Sequence, residues 1–369
     1  MLRRDVIVIG GGQAGLAIGY FLAQRGLRLT ILEAASEPAA AWRARWDSLK
    51  LFTPVRYNSL PGLPFPGEPD AYPGRDDVIA YLTDYARRFD LPVALGSRVR
   101  AVRREDGGYV VDVGDRTYAA DQVVVATGPF QVPLVPPIAE RLDRGVVQLH
   151  STEYRAPAQL PAGPVLVVGG GNTGFQIAAE LAGAHAVHLS IGSRQTPLPQ
   201  RILGRDLFRF LEATGVMRTT VGSRIGRRLK DRETLIGSSP RAARKQGIRI
   251  HGRAIAADGT TVTFADGAEL APRSVIWATG FRTDHSFVEL PVFDERGRVV
   301  HDRGVTSSPG LYFLGLTWQH TRGSALLGWV KDDAQYIAER IAQFRSAGVG
   351  AAVLSSAGAA PAPCERPGR

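Results

Sequence analysis

Three glycines near the start of the chain have the spacing of a loop that holds a phosphate group. Gly10, Gly12 and Gly15 fit the pattern G-x-G-x-x-G, with Gln13 and Ala14 between the last two glycines. The first glycine permits a tight turn, the second lets backbone approach a pyrophosphate, and the third lets a helix pack closely on a strand. The anion then lies at the amino end of the helix, where free N–H groups favour negative charge. The spacing therefore predicts a dinucleotide site.

The segments around this loop are those that a dinucleotide site needs. An apolar run at 5–9 precedes the loop, apolar residues at helical spacing follow from Leu16, and a second apolar run at 27–32 ends in Glu33. Glu33 stands 18 residues after Gly15, near the offset expected for an acid that binds a ribose diol. Because a carboxylate would repel a 2′-phosphate, this favours FAD over NADP. The alternative for a single glycine motif is a tight turn without a ligand.

A second glycine motif follows an apolar run at 164–168. Gly169, Gly171 and Gly174 repeat the spacing of the first motif, with Asn172 and Thr173 inside the loop. A helical pattern again comes directly after the third glycine. The chain therefore carries two dinucleotide sites, and we expect Asn172 to support the nicotinamide or the pyrophosphate.

The residues after the next strand indicate which nucleotide the second loop prefers. Ser193 and Arg194 stand where the first copy of the motif has Glu33. A hydroxyl and a guanidinium in place of the acid suit a 2′-phosphate. This favours NADPH over NADH, and the alternative is that Arg194 is an ordinary surface residue.

Two buried strand patterns end in the same tripeptide, Ala-Thr-Gly. One supplies Thr127 and Gly128, and the other supplies Thr279 and Gly280. A glycine permits a sharp exit from a buried strand. Since both tripeptides stand where the chain would pass between nucleotide domains, they predict two crossovers. Asp284, just after the second crossover, is either a turn residue or a contact to the surroundings of the flavin ribityl chain and pyrophosphate.

These patterns predict an α/β fold with two Rossmann-like dinucleotide-binding domains in a glutathione-reductase-like arrangement. Residues 1–155 and 273–345 form a discontinuous FAD-binding domain, and residues 156–272 form an inserted NADPH-binding domain. Residues 346–369, rich in Ala, Gly, Pro and Ser, are expected to be a disordered tail.

Composition excludes several other classes of protein. The chain has one cysteine, Cys364, which excludes internal disulfides and dithiol chemistry, and no metal site is predicted. The net charge is +10, but the basic stretch at 218–249 has no interleaved aromatic residues, so we expect no nucleic-acid partner. No apolar run is long enough to span a bilayer, and we expect a cytoplasmic protein without a transmembrane segment.

Several motifs together resemble the class B flavin-dependent monooxygenases, which include the flavin-containing monooxygenases and the plant indole-3-pyruvate monooxygenases. The resemblance extends to about residue 340. The motifs are Gly10-Gly-Gly-Gln-Ala-Gly15, Trp42-Arg-Ala-Arg-Trp-Asp-Ser-Leu49, Pro61-Gly-Leu-Pro-Phe-Pro66, His150-Ser-Thr-Glu-Tyr154, Gly169-Gly-Gly-Asn-Thr-Gly174 and Ala278-Thr-Gly-Phe-Arg-Thr-Asp284.

The resemblance implies that NADPH reduces FAD, that O2 then adds to give a C4a-hydroperoxyflavin, and that one oxygen atom passes to a small-molecule substrate. It also implies that the last strand and helix face the flavin ring. Trp318 and His320 are then the candidate catalytic residues, with Gln319 and Ser324 lining the pocket. The alternative for His320 is a structural hydrogen bond. Trp42 either covers the flavin or packs in the core.

One motif departs from the family pattern F-x-G-x-x-x-H-x-x-x-[FY]. His150 and Tyr154 fit its second half, but Val146 and Arg144 replace the glycine and the aromatic residue. Two alternatives therefore stay open: an NADPH-dependent flavin reductase that passes electrons to a quinone, metal or protein, and a non-catalytic redox sensor. The identity of the substrate and the formation of a homodimer also stay open.

Overall fold

The computed structural model describes residues 2–230 and 234–357, with the backbone alone for 347–357. Its α-helices are α1 Gln13–Ala23, α2 Ala40–Arg43, α3 Arg75–Arg88, α4 Asn172–Leu181, α5 Leu207–Ala213, α6 Arg224–Lys230, α7 Pro240–Lys245 and α8 Val330–Ala357. Short 3-10 helices lie at Val55–Tyr57, Pro137–Arg141, Pro157–Gln159 and Val216–Arg218.

The strands up to the middle of the chain are β1 Leu2–Ile9, β2 Leu29–Leu32, β3 Val93–Ala94, β4 Ala101–Glu105, β5 Gly108–Asp112, β6 Thr117–Val125, β7 Val132–Pro133, β8 Val147–His150, β9 Val165–Val168, β10 Val187–Ser190, β11 Thr196–Leu198 and β12 Arg201–Ile202. The later strands are β13 Arg205–Asp206, β14 Thr234–Ile236, β15 Arg249–His251, β16 Ala254–Asp258, β17 Thr261–Phe264, β18 Glu269–Leu270, β19 Ser274–Trp277, β20 Phe281–Arg282, β21 His301–Asp302, β22 Val305–Thr306 and β23 Leu311–Phe313.

The first sheet has the strand order β21-β22-β23-β6-β1-β2-β3, with the β4–β5 hairpin attached to β6. Its centre is parallel, since β1 pairs with β2 and β6, and β6 pairs with β23. Val6, Ile7 and Val8 are fully buried because both faces of the sheet are covered. Helices α1, α3 and α8 cover one face, and the β4–β5 hairpin packs on the other.

The second sheet is wholly parallel, in the order β15-β10-β9-β19-β8. Helices α4 and α7 pack on one face, and strands β16 to β18 cover the other. The parallel strands with helices confirm the predicted α/β class with two Rossmann-like units.

The strands correct the predicted boundaries between the two units. Strands β8 and β19 were assigned to the first domain, yet both lie in the second sheet, where they pair with each other in parallel. The chain therefore enters the second unit before Val147 and leaves it after Trp277. Sequence spacing missed this because β8 is a short strand whose three leading residues are only half-buried.

The two segments that connect the sheets run side by side. After β6 and after β19 the chain forms β7 and β20, which pair antiparallel through Val132 with Arg282 and Pro133 with Phe281. The Ala-Thr-Gly tripeptides stand directly before these segments. Both connections between the units are thus held together by backbone hydrogen bonds.

The last helix is longer than the sequence predicts. Helix α8 continues to Ala357, beyond residue 346 where a disordered tail was expected. Its first turns are anchored by Val330, Ala334 and Ile337, all fully buried against the first sheet. Residues 358–369 lie outside the described part of the chain. Within that part, none of the helices has the length and apolar character needed to cross a bilayer.

A buried histidine pair in the second unit makes its stability sensitive to acid. His188 Nδ1 lies 2.8 Å from His251 Nε2, and burial lowers the pKa of both rings, that of His188 to about 4. Since the depressed pKa favours the neutral ring in the fold, stability is lost as pH falls from about 6.5 towards 4, by at most about 3 kcal/mol. We expect His188→Gln to reduce the difference in unfolding free energy between pH 7 and pH 5, measured in urea.

The control for this experiment is His185→Gln, which removes a histidine of the same unit outside the pair. It should keep the acid sensitivity of the native chain. Equal pH dependence in the native protein and in His188→Gln would contradict the assignment.

Candidate active site

The first glycine loop has the geometry of a nucleotide cradle. Gly10 leaves β1 with a φ of +110°, and a Cβ at this position would lie 2.6 Å from the carbonyl oxygen of Ala126. Gly15 lets α1 pack on the loop, because a Cβ there would lie 1.8 Å from the Gly10 oxygen. Gly12, at the cap of α1, has open space within 4 Å of a Cβ. This open side, next to the first N–H groups of α1, fits a pyrophosphate.

Glu33 and Trp42 complete the surroundings of this loop. The Glu33 carboxylate follows β2 and accepts the backbone N–H groups of Gly11 and Ala35 at 2.8 and 2.9 Å. The Trp42 Nε1–H donates to the Gln13 side chain at 3.1 Å. The structure therefore places Glu33 and Gln13 at the loop, as the proposed ribose and pyrophosphate contacts require. Ala14, the next residue of the loop, is buried.

The second glycine loop repeats the first. Gly169 has a φ of +131°, a Cβ there would lie 2.2 Å from the Ala278 oxygen, and a Cβ on Gly174 would lie 1.9 Å from the Gly169 oxygen. Gly171 caps α4, and Thr173 is half-buried in its first turn. In each unit, the strand that ends in Ala-Thr-Gly is the neighbour against which the loop packs.

The side chain of Asn172 forms two hydrogen bonds with strand β14. Its Nδ2 donates to the Thr234 carbonyl at 3.2 Å, and its Oδ1 accepts the Ile236 N–H at 2.9 Å. These bonds attach strand β14 to the start of α4. The amide therefore holds the start of α4 against strand β14, and its expected support of the nicotinamide or the pyrophosphate stays a prediction.

The proposed 2′-phosphate contacts lie at the carboxyl end of the second sheet. Ser193 and Arg194 are exposed after β10, and the Ser193 hydroxyl accepts from Gln195 at 3.4 Å. Arg253 follows the neighbouring strand β15 and donates to the Gly192 carbonyl at 3.0 Å. Sequence reasoning missed Arg253, since only the pairing of β10 with β15 brings it beside Arg194.

The threonines of the crossovers fasten these segments. The Thr127 hydroxyl accepts from Gln131 Nε2 at 2.7 Å, and the Thr279 hydroxyl donates to the Leu134 carbonyl. Gln131 also accepts the backbone N–H of Asp284 at 2.7 Å, so it joins both crossovers. Sequence reasoning gave no signal for Gln131.

The Asp284 carboxylate forms a turn. Its Oδ1 accepts the backbone N–H of Ser286 at 3.0 Å, and this bond is the main reason that the pKa of the carboxyl is lowered. Of the two roles open to Asp284, the structure shows the turn.

The family motif around His150 acts at the same crossovers. The His150 ring hydrogen-bonds the Gly280 carbonyl at 3.2 Å, and burial lowers the pKa of the imidazole. Tyr154, fully buried, donates its hydroxyl to Glu180 of α4 at 2.8 Å. The motif therefore fixes the second unit to the crossovers. Val146, at the position of the missing glycine, is buried against the second sheet.

A partly buried arginine lies between the two crossovers. The Arg45 guanidinium carbon is 5.3 and 5.0 Å from the ring centres of Phe130 and Phe281, and burial lowers the pKa of the guanidinium to about 10. Each of these contacts is a cation–π interaction worth about 0.5–2 kcal/mol. Arg45 follows Trp42 by three residues, so the same short segment reaches the first glycine loop and the crossovers.

The segment after β23 touches both units. A Cβ on Gly315 would lie 3.0 Å from that of Ala14, and Gln13 Nε2 lies 3.5 Å from the Ala325 carbonyl. On the other side, the His320 carbonyl accepts the N–H of Val221 at 2.8 Å. The segment therefore crosses from the first glycine loop to the second unit.

Trp318 and His320 both lie in this segment, and their catalytic roles stay a prediction. Trp318 has a φ of +56°, a left-handed conformation that is rare for a bulky residue and often found at functional sites. His320 lines a cavity of about 430 Å³. Burial lowers the pKa of its ring, and nearby Arg303 lowers it further, so the imidazole is neutral at pH 7.

The same cavity has an aromatic wall and a charged wall. Tyr57 and Trp329 stack with ring centres 5.6 Å apart, and Met217 lies beside them. Burial raises the pKa of Asp332, which faces Arg218 across the charged wall. A small molecule with an apolar part and a polar part fits such a cavity.

The side chains of two residues that were expected to line the pocket do not line this cavity. Ser324 is 1% exposed, and its hydroxyl accepts the N–H groups of His320 and Thr321 at 3.0 Å. Gln319 is 2% exposed, and its amide bonds Leu316 and Arg303. Both side chains shape the loop from behind, because their hydrogen-bonding capacity is needed to satisfy its backbone.

Comparison with known proteins identifies the family. The family model described as pyridine nucleotide-disulphide oxidoreductase matches residues 7–200. The chain is 43% identical over 336 residues to an uncharacterized CzcO-like oxidoreductase of Geobacillus kaustophilus, covering 90% of this chain and 97% of that protein. It is 28% identical to the rice indole-3-pyruvate monooxygenase YUCCA1, covering 86% of this chain and 88% of that protein.

A solved structure supports the same family. The flavin-containing monooxygenase of Stenotrophomonas maltophilia is 32% identical, with a TM-score of 0.78, covering 93% of this chain and 99% of that chain. With the two glycine loops, these findings make the protein a flavin-dependent oxidoreductase that uses FAD and NADPH. The chain belongs to the pyridine nucleotide-disulphide oxidoreductase family, among its class B flavin monooxygenase-like members.

Proposed function

We propose that the protein is an NADPH-reduced monooxygenase that transfers one oxygen atom of O2 to a small molecule bound in the cavity beside His320. The reaction consumes one NADPH, one O2 and one proton, and it yields NADP⁺, water and the oxygenated product. Bound FAD supplies the redox chemistry. The observation that carries the proposal is the segment after β23, which contacts both units and presents His320 to a cavity of about 430 Å³.

The residues of the chain then bind, orient and exclude water. Gly12 and Glu33 hold one dinucleotide, and Gly171 with Ser193 and Arg194 holds the other. Thr127, Gly128, Thr279 and Gly280 set the crossovers that fix the angle between them. Tyr57 and Trp329 limit the access of water to the cavity, which matters because water diverts reactive oxygen species from the substrate. The neutral His320 ring can donate or accept one hydrogen bond towards the bound molecule.

Rapid mixing tests the proposal directly. The FAD-loaded protein is reduced anaerobically with NADPH and then mixed with O2 while the flavin spectrum is followed. We expect a transient that absorbs at shorter wavelength than oxidised flavin and is prolonged by bound NADP⁺. Direct return to oxidised flavin, with one peroxide released per NADPH, would favour the reductase. A flavin that NADPH does not reduce would favour the redox sensor.

The preference for NADPH depends on the exposed arginine after β10. We expect Arg194→Ala to raise the KM for NADPH about tenfold to a hundredfold, because one charge-assisted hydrogen bond contributes about 1.5–3 kcal/mol. The KM for NADH should not change, since NADH has no 2′-phosphate. Steady-state reduction of the flavin with both nucleotides measures the two constants.

Arg249→Ala is the matched control, because Arg249 is exposed at the opposite, amino end of β15. It should leave both constants unchanged. Arg253→Ala should act in the same direction as Arg194→Ala. An equal rise of the NADH and NADPH constants in Arg194→Ala would contradict a 2′-phosphate contact.

A further inference from the structure

A second partly buried arginine lies between the two glycine loops. Arg322 belongs to the segment after β23, next to His320 and Thr321. Its guanidinium donates to the Thr234 hydroxyl at 3.3 Å, and the Thr234 carbonyl accepts from Asn172, the first residue of α4. A single residue, Thr234, therefore separates the guanidinium from the start of the second nucleotide helix. On its other side, the same segment reaches Gln13 of the first loop through Ala325.

The positive charge of Arg322 has no protein anion beside it. Among the described residues, no carboxylate lies within salt-bridge distance of the guanidinium, and the bond to Thr234 is its one hydrogen bond. Burial lowers the pKa of the guanidinium, and no carboxylate opposes this shift. Other arginines near the site differ: Arg303, for example, pairs with Asp333 at 2.8 Å.

A partly buried guanidinium without a carboxylate partner is suited to bind an anion, because the anion supplies both the opposite charge and acceptors for the N–H donors. The Arg322 guanidinium has five N–H donors and makes one long hydrogen bond, so most of its donors stay available to a ligand. The position of the side chain therefore indicates an anionic ligand group. Near Asn172 the anion that the fold brings is the pyrophosphate of the second dinucleotide, at the amino end of α4.

We propose that Arg322 binds the pyrophosphate of NADPH, reaching across from the first unit to close the nucleotide site of the second. The proposal rests on the use of NADPH as the cofactor and does not depend on transfer of oxygen to a substrate. It assigns the two ends of NADPH to different arginines. Arg194 faces the 2′-phosphate at the end of β10, whereas Arg322 faces the pyrophosphate at the start of α4.

Calorimetric titration of the oxidised, FAD-loaded protein tests this assignment with three probes: NADP⁺, NAD⁺ and adenosine 2′-monophosphate. We expect Arg322→Ala to weaken NADP⁺ and NAD⁺ by a similar factor, about tenfold to a hundredfold, because both carry the pyrophosphate. Adenosine 2′-monophosphate lacks the pyrophosphate and should bind as before. Arg322→Lys, which keeps the charge without the planar fork, should weaken both dinucleotides less.

Arg345→Ala is the matched control, since Arg345 is exposed and pairs with Asp5 in the amino-terminal half of β1, whereas the glycine loop follows its carboxyl end. It should leave all three affinities unchanged. FAD content and the flavin spectrum check that each variant is folded. If the alanine variant does not retain FAD, Arg322→Gln, which keeps much of the side chain and removes its charge, decides in its place.

Unchanged NADP⁺ and NAD⁺ affinities would overturn the proposal. If the affinities are unchanged but the midpoint potential of the flavin shifts, Arg322 faces the anionic reduced flavin and not the pyrophosphate. This result would also overturn the proposal. Loss of NADP⁺ binding alone, with NAD⁺ unaffected, would move Arg322 to the 2′-phosphate. Because these titrations use oxidised flavin without O2, they stand whatever the rapid-mixing experiment shows about oxygen transfer.

Discussion

Gly15→Ala is expected to give a protein that does not retain FAD and unfolds more easily without it. The added Cβ would lie 1.8 Å from the Gly10 carbonyl oxygen, a distance that real atoms do not adopt, so α1 must move away from the loop. The loop and the helix are both parts of the buried centre of the first sheet, and overpacking of this kind costs about 1–3 kcal/mol or more. Flavin absorbance after purification and the Tm of the FAD-free chain measure the two effects.

Gly12→Ala separates the binding of FAD from the folding of the loop. Gly12 has a φ of −77°, which any residue adopts, and a Cβ there meets no atom within 4 Å. The FAD-free chain should therefore keep its native Tm, while the methyl group occupies space that the pyrophosphate needs. Full FAD occupancy with a native Tm in Gly15→Ala would contradict the packing described for the loop.

Gly174→Ala is expected to abolish reduction by NADPH while the protein stays yellow. Here the Cβ would lie 1.9 Å from the Gly169 oxygen, so α4 is displaced from the second loop. The first sheet does not contain this loop, and FAD should remain bound. We expect the rate of flavin reduction by NADPH to fall at least about a hundredfold, equivalent to about 3 kcal/mol. Dithionite should still reduce the flavin as in the native protein.

Gly183→Ala is the control for a glycine substitution in the same unit. Gly183 is exposed after α4, and the nearest atom to an added Cβ is the Glu180 oxygen at 4.0 Å. This variant should keep the native rate with NADPH. Loss of FAD from Gly174→Ala, or a native rate with NADPH, would show that the second loop does not serve the second nucleotide separately.

The two loops indicate how the geometry of the site is maintained. Each glycine loop belongs to its own sheet, so the relative placement of the two loops depends on contacts between the units, including those at the crossovers. Gln131 joins the two crossovers, His150 binds the Gly280 carbonyl, and Arg45 lies against Phe130 and Phe281. Other contacts also join the two units, among them the hydrogen bond from Gln200 to the Phe52 carbonyl and the packing of Trp46 in the core of the second unit, so the crossovers are one part of a wider interface.

The sequence predicted those parts of the molecule that depend on local backbone geometry. The two glycine motifs predicted both loops, because a positive φ and a close helix–strand contact leave glycine as the residue that fits. Glu33 was placed correctly at the end of β2, because its offset follows from the length of one strand–helix–strand unit. Repetition of these local rules also gave the α/β class, the insertion of one unit in the other, and the two crossovers.

Contacts between distant segments were decided only by the tertiary structure. The sequence assigned β8 and β19 to the wrong sheet, because pairing of strands 127 residues apart leaves no local pattern. It gave no sign that the Asn172 amide bonds strand β14. It also gave no sign of Arg253 or Arg322, since only the fold brings these side chains to Gly192 and Thr234 beside the second nucleotide loop. Neighbouring residues determine local backbone geometry. The charges around the second glycine loop come from residues that are distant in the sequence and meet only when both units are folded.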